Sequence, residues 1–276
     1  MYLGSGGSTG GGQTAGGNGG GRITIVSTDE VRVDGQIIAN GAIGKGNGAG
    51  SGSGGSIKIK TSVLRGTGSI SANGAAYEVG GGGGRVSVTY TVNGVPGDDL
   101  NSLRNITAFG GHGSWVWGSA GTVHLKQTSQ THGDLYIDDN MQPGNTARPW
   151  TPLTPIGFGK IQALTDNSLT VDGNVPMIPD GLVGLEINPN IAQGSTFTIT
   201  SNTSTIITVD TNNKGLLTEV ASIGDTYAAV YRFDNIIFRR GGHLVLGDHT
   251  RVSGSVIIDE NGWLDHYDTT ISYEPR

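Results

Sequence analysis

The chain has no cysteine, only 6% aromatic residues and only 14% charged residues. The lack of cysteine removes disulfide staples, thiolate metal sites and cysteine nucleophiles. Lys plus Arg number 17 against 23 Asp plus Glu, giving a net charge of -6 and no basic stripe interleaved with aromatics. That balance argues against a nucleic-acid partner, because phosphate binding needs a positive field. No run of eighteen apolar residues occurs, so no helix spans a membrane, and membrane insertion is not expected. The six histidines contain no His-x-His or His-x-x-x-His pair, which argues against zinc. Neither a Gly-x-Ser-x-Gly elbow between strand and helix nor a helix following a Gly-x-Gly-x-x-Gly match can be found, so those motifs carry no chemistry. Amphipathic helical periodicity of useful length is also missing, which leaves an all-β chain.

Glycine is abundant instead: 50 of 276 residues, 35 of them within residues 1–121. The glycine runs recur, and each leads into a similar strand. GGNGGG precedes Arg22-Ile-Thr-Ile-Val, GSGSGG precedes Ser56-Ile-Lys-Ile-Lys, GGGGG precedes Arg85-Val-Ser-Val-Thr-Tyr, and GSAG precedes Thr122-Val-His-Leu-Lys. The strand starts lie 34, 29 and 37 residues apart. A second motif follows in constant order: Gly35-Gln-Ile-Ile-Ala-Asn-Gly41, Gly68-Ser-Ile-Ser-Ala-Asn-Gly74 and the looser Ile106-Thr-Ala-Phe-Gly110. Two elements in fixed order at roughly one coil's spacing mark a repeat architecture. Apolar residues alternate in each first strand, so Ile23 and Ile25, Ile57 and Ile59, Val86 and Val88, and Val123 and Leu125 fall on one face. Stacked units would align them as ladders, which predicts a parallel β-solenoid.

In that solenoid the glycine runs are expected to form the third side of each coil, extended or polyproline-II-like. Without Cβ atoms, such segments approach closely enough to hydrogen-bond through their backbones, as collagen's axis does. The alternative is that they are flexible loops between strands.

Four prolines, Pro143, Pro149, Pro152 and Pro155, cluster within thirteen residues and mark a boundary. We therefore divide the chain into a glycine-rich β-solenoid (1–142), a proline-rich boundary (143–155), an inserted small antiparallel β-barrel or sandwich (156–231) and returning solenoid coils (232–276). Within the insert, strands are predicted at Ser168–Val171, Leu182–Ile187, Thr196–Thr200, Thr205–Val209 and Thr226–Tyr231, with a hairpin turn at Ser201–Ser204. The return rests on Arg251-Val-Ser-Gly-Ser-Val-Ile-Ile-Asp-Glu-Asn-Gly262, which echoes Arg32-Val-Asp-Gly-Gln-Ile-Ile-Ala-Asn-Gly41.

Three groups of residues are candidates for chemistry. Gly97-Asp98-Asp99 with Gly111-His112-Gly113 resembles part of the motif set of the polygalacturonase family of β-helical glycoside hydrolases. There a paired aspartate and a Gly-His-Gly segment flank the scissile bond, which would make Asp98, Asp99 and His112 catalytic. The resemblance covers under 25 residues; the family's Asn-Thr-Asp and Arg-Ile-Lys are missing. Asp138-Asp139-Asn140 and Asp248-His249 offer oxygen ligands for calcium, against the alternative that they form turns. Trp115 and Trp117 alternate, so both indoles are expected on one face. They would form a platform for sugar rings or a partner protein, or else a cap on the glycine coils. Asn105-Ile-Thr and Asn202-Thr-Ser are formal glycosylation sequons.

With GGGGGRVSVTY, GSGGSIKIKTS and the stretch Leu182–Tyr231 in view, the chain resembles the glycine-rich repeat regions of large bacterial cell-surface and secreted adhesin-like proteins of parallel β-helix type. The resemblance implies an extracellular or cell-surface, non-catalytic structural or adhesive role without a cofactor. The expected partner is the chain itself, assembling head to tail through uncapped strand edges into a homo-oligomer or filament, with surface glycans as a second class of partner. The rival expectation is a carbohydrate-binding or carbohydrate-cleaving β-helix of tailspike, lyase or hydrolase type. The first ten residues lack the basic and apolar regions of a secretory signal, so a secreted form would be a mature product or fragment.

Overall fold

The computed structural model describes residues 3–11, 15–93, 105–141, 149–153, 158–172, 177–246, 249–259 and 261–266. The described chain is all-β, with no α-helix and a single 3-10 turn at Leu217–Glu219. It divides into two compact units, one of Met1–Thr151, Phe233–Val245 and Val252–Asp265, the other of Pro152–Arg232, Leu246–Arg251 and His266–Arg276.

In the first unit each glycine run delivers the chain into a strand of one sheet. These are β1 (Arg22–Val26), β4 (Ser56–Lys60), β7 (Arg85–Tyr90) and β10 (Thr122–Gln127), paired in parallel in the order β1-β4-β7-β10. The register aligns Ile23, Ile57, Val86 and Val123 in one ladder and Ile25, Ile59, Val88 and Leu125 in the next. Residues Ile57, Ile59, Val86 and Val88 are essentially inaccessible to solvent. Each such side chain contributes about 1.5–3 kcal/mol of hydrophobic stabilisation. Two smaller parallel sheets carry the rest of each repeat: β2 (Glu30–Arg32), β5 (Val63–Arg65) and β8 (Val92–Asn93); and β3 (Gln36–Ile38), β6 (Ser69–Ser71) and β9 (Ile106–Thr107). Val31 stands beside Leu64 in the first of these, and Ile37, Ile70 and Ile106 form a ladder in the second.

The glycine runs are ordered and hydrogen-bond to one another with a period of three. In residues 51–55, successive amides turn to three different neighbours. Ser51 N donates to Val79 O, Gly52 N to Ala42 O and Ser53 N to Ser5 O; the cycle restarts with Gly54 N to Gly82 O and Gly55 N to Ala39 O. The next run repeats two of these directions, Gly80 N to Val116 O and Gly81 N to Ala75 O, then Gly83 N to Ser119 O and Gly84 N to Ala72 O. Such close approach needs glycine: a Cβ on Gly54 would stand 1.9 Å from Ala72 O, and one on Gly81 would stand 2.1 Å from Gly52 O.

After β10 the direction changes. Strand β11 (Asp134–Asp138) pairs antiparallel to β10, and β19 (Asn235–Arg239) and β22 (Val256–Ile258) add in parallel to β11. The uniformly parallel stacking expected from the sequence therefore reverses at Thr128–Gly133. That connection is too short for a crossover coil and closes as a hairpin. It is held by Gly133, with φ +87°, and by the Asp234 carboxylate, which accepts the His132 and Gly133 amides at 3.2 and 2.9 Å. The sequence echo between 32–41 and 251–262 likewise does not place equivalent strands together. Strand β3 lies in a three-stranded sheet and β22 in the seven-stranded one.

In the second unit six strands close into an antiparallel barrel. They are β13 (Phe158–Leu164), β14 (Ser168–Val171), β15 (Glu186–Asn188), β16 (Phe197–Asn202), β17 (Ile206–Val209) and β18 (Thr226–Phe233), in the order β13-β14-β17-β16-β15-β18, with β18 returning to β13. Ile161, Leu169, Ile187, Phe197, Ile199 and Ile207 fill it. Strand β16 runs on through Asn202, so the hairpin turn falls at Thr203–Thr205 rather than Ser201–Ser204. The Asn202 side chain holds the end by donating to Ile178 O and Thr203 O. The expected strand at 182–187 shortens to Glu186–Asn188, because Gly184 adopts φ +88° and the Leu182 amide turns to the Asn202 side chain. Strands β12 (Thr151–Leu153), β20 (His243–Leu246), β21 (His249–Val252) and β23 (Trp263–His266) complete the described elements.

Candidate functional site

The first unit brings together residues from all three groups of candidates. His112 follows β9 and forms an antiparallel bridge with Trp117, so the two rings stack at 4.2 Å between centroids and 11° between planes. Asp139, one residue beyond β11, lies next to His112 with 0% exposure. Its Oδ1 accepts the Gly110 amide at 3.1 Å and stands 3.8 Å from His112 Nε2, beyond hydrogen-bond reach. Asp139 Oδ2 and His112 Nε2 are buried and without a hydrogen-bond partner among the described residues.

Burial pushes the Asp139 carboxyl up to about 7; the Gly110 amide works against this and the neighbouring Asp138 charge reinforces it. The group is therefore poised to gain or lose a proton near neutrality, next to an imidazole. Because it is enclosed, it does not reach a bond in a polysaccharide bound outside.

The neighbouring residues have other tasks. Asp138 and Asn140 hold Arg240: its Nη2 and Nε reach the two Asp138 oxygens at 2.6 and 3.0 Å, and its Nη1 reaches Asn140 Oδ1 at 2.6 Å. The guanidinium also lies over the Phe109 ring at 5.1 Å. The calcium candidates Asp138, Asp139 and Asn140 are thus spread between a guanidinium and a partly exposed imidazole, and among the described residues no group of three or more acidic or imidazole side chains converges. The two indoles have different surroundings. Trp117 is half-buried against His112, whereas Trp115 is 61% exposed, with Val116 (52%) and Tyr77 (45%) exposed on adjoining hairpin tips. Asp98, Asp99 and Asp248 lie outside the described residues, so of the polygalacturonase-like set only His112 is placed. No local pattern marks Arg240 as the partner of Asp138, since about 100 residues separate them and the β11–β19 pairing brings them together.

A second polar cluster sits in the barrel. Glu186 accepts Arg232 Nε at 2.6 Å and the Thr196 hydroxyl at 2.7 Å. Burial pushes Glu186 up, but these bonds and the charges of Arg232 and Lys214 outweigh it and hold the carboxyl below its ordinary value. All its parts are partnered, which marks it as a fastening of the barrel wall.

A third feature is the end of the parallel stack. Strands β1, β2 and β3 are the first members of their sheets and have no further strand beside them among the described residues. Val26 on β1 and Ile38 on β3 are 68% and 50% exposed there. Comparison with family models, curated proteins and solved structures gave no match.

Proposed function

We propose that this protein is a non-catalytic structural or adhesive building block of an extracellular fibre or cell-surface adhesin. Its glycine-rich part is read as a parallel β-solenoid whose third side is a bundle of polyproline-II-like glycine segments, and copies associate end to end through strand edges. The observation that carries the reading is the triple open edge at β1, β2 and β3. Open edges present unpaired amides and carbonyls that template another chain, and exposed Val26 and Ile38 add apolar surface at β1 and β3 beside the charged Arg22, Glu30 and Arg32. The partnered barrel cluster and the enclosed Asp139 fit a mechanical part better than a catalyst. Electron microscopy of the purified chain at rising concentration tests the reading. Regular filaments are expected, and particles that stay single at every concentration would sink it.

Exposed Trp115 favours one second reading, a glycan-binding module. An exposed indole and an exposed phenol on tips joined by the Ser114 N to Tyr77 O bond suit stacking against sugar rings. A glycan array with wild-type and Trp115→Ala protein separates the two, because only this reading expects glycan signals that the substitution abolishes.

A further inference from the structure

The period-three hydrogen bonding of the glycine bundle gives every run three directions, and one direction is used by only part of the bundle. Residues 3–11 lie across two runs in that third direction. Gly4 N and Gly7 N donate to Gly20 O and Gly17 O, while Ser5 O and Ser8 O accept from Ser53 N and Gly50 N. Gly4 and Gly7 face the bundle, where a Cβ would stand 2.5 Å from Ser53 O and 2.0 Å from Gly50 O.

The lateral bonds fix which residues are equivalent in the next runs. Ser51 and Gly54 donate to the run after them just as Gly80 and Gly83 do, so Ser53 corresponds to Gly82 and, one run further on, to Ser119. The third-direction groups there are the amides of Gly82 and Ser119 and the carbonyls of Gly80 and Gly83. None has a hydrogen-bond partner among the described residues, and all four residues are partly exposed. Gly82 also differs from its neighbours. A Cβ on Gly80, Gly81, Gly83 or Gly84 would come within 1.7–2.1 Å of backbone, whereas one on Gly82 meets nothing nearer than Ser119 Oγ at 3.7 Å. Its own chain has no steric need for glycine at that position.

The free groups are also in phase with the segment that docks on the earlier runs. Residues 3–11 dock with a carbonyl at Ser5, an amide at Gly7 and a carbonyl at Ser8; the run 80–83 offers a carbonyl at Gly80, an amide at Gly82 and a carbonyl at Gly83. The face is therefore self-complementary. We infer that the face carrying Gly80, Gly82, Gly83 and Ser119 is an interface between two copies of this chain, in which run 80–84 of each copy seats antiparallel on the other as residues 3–11 seat on runs 17–20 and 50–53. Reciprocal contact of one patch with itself is what a two-fold axis requires. The Gly82 amide of each copy bonds a carbonyl of the other's run, and the glycine lets the backbones close.

The inference rests on the self-association in the reading above but uses a different surface, lateral rather than end to end. Gly82→Val tests it, since the side chain has room in the single chain and none in the paired one. In sedimentation velocity the wild-type chain should associate with rising concentration. Gly82→Val should weaken that association by about tenfold or more, with unchanged circular dichroism and melting. Amide exchange supplies a readout independent of the variant, because Gly82 and Ser119 should gain protection as the wild type associates. A wild type that stays monomeric, equal association by Gly82→Val, or unprotected amides at Gly82 and Ser119 in the associated form would each overturn the inference. Discrete pairs abolished by Gly82→Val, without filaments, would support it while sinking end-to-end assembly. Filaments of single-molecule width indifferent to Gly82→Val would do the reverse.

Discussion

At the scale of single residues, Asp139 shows how enclosure sets a group's chemistry. Its folded value of about 7 lies above the ordinary 3.8, so the native state holds a proton that the unfolded chain has released. Its contribution is thus most favourable below about pH 4 and is lost as pH rises to about 7; a shift of this size corresponds to about 4 kcal/mol. In Asp139→Asn the amide oxygen still accepts the Gly110 N–H and no charge is buried. Thermal melts from pH 4 to 8 should therefore decline less steeply for Asp139→Asn than for wild type, with the variant more stable at pH 8. Parallel declines would refute the assignment. Glycines divide just as sharply. Gly54→Ala drives a Cβ to 1.9 Å from Ala72 O and should cost about 3 kcal/mol or more, while Gly21→Ala meets nothing within 4 Å and should be neutral or stabilising by about 0.4–1 kcal/mol. Urea denaturation of the two variants decides this, and equal losses would mean that the bundle is not the close-packed body described.

At the scale of elements, the period-two alternation of β1, β4, β7 and β10 was legible because each strand has five or six residues and one apolar face turned to the core. Strands β2 and β5 were not legible: at three residues each, Glu30-Val31-Arg32 and Val63-Leu64-Arg65 are too short to show a period. The ladders imply a graded cost. Ile59 is in the second strand of its sheet and fully buried, whereas Ile25 is on the edge strand and only partly buried. Ile59→Ala should cost about 2–5 kcal/mol, and Ile25→Ala less than half of that. Comparable losses in denaturant melts would contradict the placement of β1 at the edge. The hairpin reversal at β10–β11 also lay beyond the sequence, since His132 and Gly133 are fixed by Asp234, a hundred residues away.

At the scale of the whole molecule, the parallel stack leaves β1, β2 and β3 without an outer neighbour among the described residues, whereas the six barrel strands close on one another through β13 and β18. If copies add end to end, lysine on the edge should stop them, as charges guard natural edge strands. Val26→Lys with Ile38→Lys, both at exposed positions, should leave the fold and its melting unchanged and abolish the filaments seen by electron microscopy. Filaments that persist in this variant would place the assembly surface elsewhere.

The sequence by itself determined the local features: an all-β chain, the recurrence of glycine run and strand, and the faces on which Ile57, Ile59, Val86 and Val88 lie, because period and steric freedom are properties of neighbouring residues. Tertiary structure alone decided what depends on distance across the chain. It chose the antiparallel turn after β10, joined Asp138 to Arg240, and enclosed Asp139 beside His112. It also separated glycines that must be glycine from Gly82, whose Cβ has room within its own chain. Those outcomes depend on which backbones approach within a few ångströms, and no local pattern carries that information.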